Sequence, residues 1–374
     1  MSGKTRIPDP AAAHTLVAMG FVVTGDPGAG ALARLVGELP RALRDAGFDP
    51  ASAELEPSLV VNVDEHGAPR PFRRRSRGTF VAALHGLDAA PADPLREGYP
   101  VLVRALANVS LTYVPGDGVW FTTLERGSYL VPETNGPASL ADAVVARLAP
   151  LARSRLVIDN EFRPDLEPEL WGGDEQSASI VAAGRRLDSL GLLPAPFPVE
   201  ELVGERELRH IKRLYGLGGL SYGNLSARKD DERFWMSASG VDKGKLETIG
   251  RDVLLVSAYD ADALRIVLSV PPGIEPRRVS VDAIEHWRIY REHPDVGAIL
   301  HVHAWVEGVV ATEVNYPCGT EELAANVAEL LAREPDPAHA IIGLRNHGIT
   351  ATGATLEEIL DRIVPSLLPQ IPMT

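Results

Sequence analysis

A chain of 374 residues is longer than one hydrophobic core ordinarily serves, which predicts two domains. Hydrophobic residues at 45% and charged residues at 24% are those of a soluble globular protein, and a formal net charge of −14 argues against a nucleic-acid partner. The single cysteine, Cys318, excludes an intrachain disulfide; with no basic-then-apolar start over Met1 to Ala13 and no run of about 18 apolar residues, the expected location is cytoplasmic, away from membranes.

In chain order, Phe21–Gly25 reads as a strand, and Ala31–Ala46 as a helix on the spacing of Leu32, Leu35, Val36, Leu39 and Leu43, with Pro40 as a kink. The Gly25–Gly30 loop between them lacks the third glycine of a dinucleotide fingerprint and the Gly-Lys-Ser/Thr end of a phosphate loop, so it is a helix-entry turn. Strands follow at Ser58–Val63 and Thr79–Leu84, with a turn at Asp64–Gly67; the basic run Arg73-Arg74-Arg75-Ser76-Arg77 reads as a solvated edge or turn. Leu102–Ala107 is helical, Val109–Val114 and Gly118–Thr123 flank the hairpin turn Pro115–Gly118, and Leu140–Leu151 is a further helix. These elements form an α+β domain over residues 1–158, without a motif that carries chemistry.

The polar, proline- and tryptophan-punctuated stretch 159–176 is the expected linker to a second domain, residues 177–374. There, Ala178–Leu192 is an amphipathic helix stopped by Pro194, Pro196 and Pro198, and a second helix covers Val199–Tyr215. Strands and turns run to about Val270. A helix at Val281–Arg291, a strand at Gly297–Ala304, a helix at Thr320–Arg333, strands near Ala340–Leu344 and Ile349–Ala351, and a helix from Thr355 complete an α/β layered domain.

The run Leu300-His301-Val302-His303 carries the strongest chemical signal. Strand side chains alternate faces, so His301 and His303 project together, about 7 Å apart, and converge on a metal ion if other ligands complete its shell. Asp282, 19 residues before His301, and His347, in Asn346-His347-Gly348, are the further candidates. His286 reads as a helix-face residue and His293 as a C-terminal cap.

Four segments belong together: Gly218–Arg228 (with Gly223-Asn224), Phe234–Gly240 (with Ser239-Gly240), Ser280–His286 running into the His-x-His strand, and Asn346-His347-Gly348. In this order and spacing residues 177–374 resemble the class II aldolase/adducin family, which includes L-fuculose-phosphate aldolase and L-ribulose-5-phosphate 4-epimerase. The resemblance implies a class II aldolase-like α/β/α fold. It also implies a divalent metal, usually zinc, on His301, His303 and His347. The acidic position falls on Asp282: in aldolases it is usually Glu, both ligand and base, whereas epimerases use Asp as ligand. With three histidines and a carboxylate, zinc, manganese, iron and cobalt all suit the set. Tyr316 falls near a catalytic tyrosine that faces a neighbouring subunit in relatives, which form homotetramers.

Backbone N–H groups around Gly223-Asn224 suit an anion, and the resemblance assigns substrate phosphate to Asn224, Ser239, Gly240 and Ser280. Relatives have paired serines where this chain has Ser280-Val281, which leaves the anion site a donor short and keeps a non-phosphorylated or carboxylated substrate open. The glycine run reads equally as a tight turn with positive φ. Only 43 residues separate His303 from His347 and 27 follow His347, so the N-terminal domain is expected to cover the place of the closing helices of relatives. The leading expectation is a metal-dependent lyase or isomerase that works through an enediolate of a small hydroxy-carbonyl or sugar-like substrate. Two alternatives stand beside it: an Fe(II)-dependent oxygenase or decarboxylase relative, and an adducin-like scaffold without turnover.

Overall fold

Near-continuous apolar runs such as Leu59-Val60-Val61 and Phe80-Val81-Ala82-Ala83-Leu84 suit strands buried on both faces, and they form the centre of the first of the two large sheets. The computed structural model describes residues 19–64, 70–76, 78–124, 127–193, 201, 203–214 and 222–374. The start of the chain, His66-Gly67, Arg77, Pro194, Pro196, Pro198 and Gly218–Ser221 lie outside the described residues.

The N-terminal part comprises β1 (Met19–Asp26), α1 (Ala31–Asp45), β2 (Phe48–Pro50), β3 (Pro57–Asp64), β4 (Phe80–Gly86), α2 (Pro94–Ala105), β5 (Val109–Val114), β6 (Gly118–Thr123), β7 (Ser128–Pro132) and α3 (Pro137–Arg153). Its sheet has the order β2-β1-β3-β4-β5-β6-β7. The first five strands in that order pair parallel, and the β5–β6 and β6–β7 pairings are antiparallel. Helices and strands are thus interleaved rather than segregated, and this part is α/β where the sequence suggested α+β. Leu59, Val61 and Val63 pack in the cluster built with α1 and α3, while Val60, Val81 and Ala83 pack with Val101 and Ala105 of α2. The helix expected over 102–107 is the last turn of α2, which begins earlier, at the Asp93 N-cap and Pro94. Gly98 and Pro100 inside it obscured its period.

The second part begins with β8 (Asp159–Arg163), followed by α4 (Glu175–Ser189), α5 (Glu205–Leu214), β9 (Asn224–Arg228), β10 (Phe234–Ser237), β11 (Val253–Asp260) and β12 (Arg265–Ser269). It continues with α6 (Ala283–Glu292), β13 (Ala298–Val302), β14 (Trp305–Val306), α7 (Glu321–Leu331), β15 (Ile341–Leu344), β16 (Gly348–Gly353), α8 (Leu356–Ile363) and β17 (Leu367–Leu368). The sheet order is β15-β16-β13-β9-β10-β11-β12-β8. Helices α4 with α8 and α6 with α7 pack in pairs and cover this sheet. The stretch expected to be a linker is in part β8, which adds parallel to β12 at the sheet edge. An edge strand needs no second buried face, so its polar composition concealed it.

The two parts meet along the segment before α7. Val157 N–H donates to the Gly319 carbonyl at 2.7 Å, Tyr129 Oη–H donates to Asn315 Oδ1 at 3.4 Å, and Tyr316 packs against both hydrophobic cores. No helix among the described residues is long and apolar enough to cross a membrane.

Candidate metal centre

β13 is an interior strand of its sheet, the third of eight, between β16 and β9. His301 pairs in register with Asn224 of β9 and Thr350 of β16. The strand ends at Val302, so His303 stands in the bend beyond it, with its ring still 5.1 Å from that of His301. His347 enters from the β15–β16 turn, where Asn346 adopts φ 58°. The His301–His347 and His303–His347 ring centroids are 4.6 and 4.7 Å apart, and His303 Nε2 and His347 Nε2 are separated by 3.1 Å. The three imidazoles offer donor atoms that all lie within 4.8 Å of one another.

Two glycines permit this approach. A Cβ at Gly223 (φ 75°) would overlap the His301 carbonyl, and one at Gly348 would overlap the Val302 carbonyl. The conformational reading of Gly223 therefore has a direct geometric basis: positive φ and backbone contact with the His strand.

The ring of His301 is oriented from behind. Its Nδ1–H donates to the Ile349 carbonyl at 3.0 Å, which assigns the lone pair to Nε2. That Nε2 is buried with no hydrogen-bond partner. A bare buried imidazole nitrogen is costly unless something occupies the space before it, and three imidazoles with donor atoms this close suit a shared cation. Burial, and next His301, lowers His347 to about 3, so its ring is neutral at ordinary pH, as a metal ligand must be. His303 is half-buried and is the face of the triad nearest solvent; Tyr222 lies against it with ring centroids 5.1 Å apart.

Asp282 is not in the triad's donor group. It is the N-cap residue of α6 without a capping bond, 5% exposed, and its Oδ2 accepts from Asn224 Nδ2 at 2.6 Å while Oδ1 is buried without a partner. The expected fourth ligand thus lies outside the close donor group, and Asn224, the expected anion binder, donates to its carboxylate. Ser239 and Ser280 lie on either side of the antiparallel bridge between Ala238 and Val279: Ser239 N–H donates to the Arg278 carbonyl at 2.9 Å and Ser280 N–H to the Ser237 carbonyl at 3.2 Å, with Gly240 at φ 66° next to Ser239. Tyr316 is half-buried and packs against both cores of its own chain.

Three residues beside the triad were not identified from sequence. Lys243, 3% exposed, is drawn by burial down to about 8 from 10.5, against the opposing charges of Asp282 and Asp242. Glu285, one turn after Asp282, accepts from Thr350 Oγ1 at 2.6 Å; burial, then the Asp282 charge, pushes it up to about 8. Cys318 Sγ lies 3.4 Å from His347 Nε2. A lone Lys, Glu or Cys in a sequence of this length carries no pattern; only the fold brings them here. His286 does lie on a helix face, but on the buried one: its Nδ1 meets Ser226 Oγ at 2.7 Å. His293 is the C-cap residue of α6, as expected.

Glu285 has a readable signature. Its folded-state pKa is about 8 against 4.5, so the native state holds a proton that the unfolded chain releases between those values, and stability falls as pH rises through that window. Glu285→Gln is expected to flatten the fall of thermal midpoint between about pH 4.5 and 8; an unchanged slope would remove Glu285 as its source.

The loop that presents His347 is also buttressed. Thr374 N–H donates to Asn346 Oδ1 at 2.8 Å, Asn346 Nδ2 donates to the Thr374 carbonyl at 3.1 Å, and Gly127 of the N-terminal part abuts the Asn346 carbonyl.

The model of the Class II Aldolase and Adducin N-terminal domain matches residues 208–315 and 304–365, the span that contains every histidine of the triad. The C-terminal region belongs to the class II aldolase and adducin family. A methylthioribulose-1-phosphate dehydratase of Gluconacetobacter diazotrophicus is 28% identical over 224 residues, 52% of this chain and 88% of that protein. A methylthioribulose-1-phosphate dehydratase of Leptospira biflexa is 32% identical over 111 residues, 29% of this chain and 49% of its own length. The solved structure of an L-fuculose 1-phosphate aldolase aligns with 52% of this chain and 84% of that one, at 18% identity and a TM-score of 0.35. With enzymes as its relatives, this region is a class II aldolase-type lyase acting on a small molecule.

Proposed function

We propose that the chain is a metal-dependent lyase that eliminates water from a small phosphorylated hydroxy-ketone, with the metal held by His301, His303 and His347. The observation that carries the metal is His301: Nδ1–H is tied to a carbonyl and the buried Nε2 faces the other two rings unpartnered. The dehydration is supported by the two dehydratase relatives, one of which matches over 88% of its length. A divalent cation, zinc being the family's usual one, supplies Lewis acidity to a carbonyl and its adjacent hydroxyl when bound.

The chain's own residues do the rest. Asn224 fixes Asp282 through Oδ2 and leaves Oδ1 as the oxygen to take a proton from substrate carbon. Lys243 places a buried positive charge beside Asp282, where negative charge develops as that proton leaves. The hydroxyls of Ser239 and Ser280, on the two segments joined by the bridge between Ala238 and Val279, are the proposed seat of the substrate's anionic group. Tyr222 against His303 shields the open side of the triad from water. The N-terminal part, through Gly127, is proposed to steady the His347 loop. A homo-oligomer and a cytoplasmic site of action remain part of this reading.

The test is turnover of a panel of ketose 1-phosphates by metal-loaded protein, followed by mass spectrometry. Loss of 18 mass units, abolished by Asp282→Asn, is the expected result. Carbon–carbon cleavage products or a mass-neutral epimer would replace dehydration with the aldolase or isomerase reading.

A further inference from the structure

The N-terminal part carries a row of polar side chains that the metal centre does not use. Asp26, Asp64, His85 and Thr112 are direct register partners across β1, β3, β4 and β5, towards the carboxyl ends of those parallel strands. Direct partners on neighbouring strands project to one face, here the face on which Val60, Val81 and Ala83 pack with α2. The connections also diverge between β1 and β3. The chain leaves β1 for β2 through α1 on one face, and leaves β3 for β4 by a segment whose Phe72 packs on the other. In parallel sheets the crevice outside the carboxyl ends of the strands at such a point is where small ligands bind.

His85 is an independent observation that points the same way. It is 0% exposed and stands in register between Asp64 and Thr112; its Nε2 meets Thr112 Oγ1 at 3.3 Å, and its Nδ1 is buried with no hydrogen-bond partner. Burial, against the opposing charge of Asp64, lowers it to about 4, so the ring is neutral at ordinary pH. At the other end of the row Asp26 is exposed, so the row runs from solvent to a buried imidazole. Neighbouring strands stand about 4.8 Å apart, so the row spans roughly 14 Å, the length of a small molecule rather than of an ion. Among the described residues the donor group close enough to hold a metal is the histidine triad, which does not include this row.

The side chains limit the chemistry of a partner. Carboxylates only accept, whereas a neutral imidazole nitrogen donates or accepts according to tautomer. Hydroxyls satisfy both, and an anionic group in the row would face two carboxylates. We propose that this row binds a small polyhydroxylated molecule of the ribose kind, with adjacent hydroxyls donating to Asp26 and Asp64 and a further hydroxyl paired with His85 Nδ1.

Isothermal titration of the full-length protein with D-ribose, adenosine and ribose 5-phosphate tests this, on the wild type, Asp26→Asn, Asp64→Asn and His301→Ala. The expected result is saturable binding of at least one of the three at about one per chain. Asp64→Asn should weaken it by at least about tenfold, as loss of a charged hydrogen-bond acceptor does, and His301→Ala should leave it unchanged. Asp26→Asn, at the exposed end, should weaken it too and serves as the second variant if Asp64→Asn does not fold. Absence of binding by all three probes would overturn the proposal. Binding that neither aspartate variant weakens, or that disappears in His301→Ala, would equally overturn it, the latter by placing the ligand at the metal centre.

Discussion

His301→Ala is expected to lower metal affinity by more than about 100-fold and to abolish measurable turnover, while the fold persists. The magnitude follows from its proposed place in the site: loss of a residue that only orients a ligand already costs about 10–100-fold, and His301 is the proposed ligand as well as the oriented group. Its Nδ1–H to the Ile349 carbonyl ties the metal-facing nitrogen to the backbone of β16, so no neighbouring side chain can substitute for it. The substitution leaves a cavity in a strand whose flanking Leu300 and Val302 are fully buried, and a moderate fall in thermal midpoint should accompany the effect. Isothermal titration with zinc measures the first effect and circular dichroism controls for the second. A variant that binds zinc as the wild type does would remove His301 from the centre.

Lys243→Met is expected to act in opposite directions on stability and activity. Burial draws the ammonium down to about 8 from 10.5, so the unfolded chain holds its proton more tightly than the native one between those values. Wild-type stability should therefore rise from about pH 8 to 10.5, and the burial penalty is present in full below that window. A methionine of similar length removes the penalty and is expected to stabilise the protein at pH 7 by on the order of 2 kcal/mol, less whatever Asp282 loses as its charge partner. Turnover should fall by about 10²–10³, the usual loss when one preorganised electrostatic group is removed. Denaturant titrations across pH, together with kcat, give both quantities. A destabilised variant with unchanged kcat would make Lys243 a structural charge instead of a catalytic one.

Legibility of the sequence tracked how local each signal was. The His-x-His run, the acidic position 19 residues before it and the Asn-His-Gly turn are contiguous patterns, and the fold assembles their histidines within 4.8 Å. The strands of the N-terminal part were visible as apolar runs, but their parallel pairing is a property of topology, and a continuous run such as Leu59–Val61 is a clue to burial on both faces rather than to direction. β8 was invisible because an edge strand needs backbone partners and no apolar face. Lys243, Glu285 and Cys318 reach the site from a 3₁₀ turn, a helix face and a loop, so no spacing rule joins them. The resemblance places Asp282 at the acidic position, 19 residues before His301. Its side-chain partner, Asn224, lies 58 residues away and is brought near by the pairing of β9 with β13.

The most direct measurement is the metal content of the intact protein, purified without chelators and counted by plasma mass spectrometry before and after dialysis against a chelator and reloading. About one zinc, cobalt, iron or manganese per chain, removed by the chelator and restored on reloading, is the predicted result. A protein that carries no metal and takes up none when offered it would contradict the His301–His303–His347 centre, and with it the lyase reading built on it.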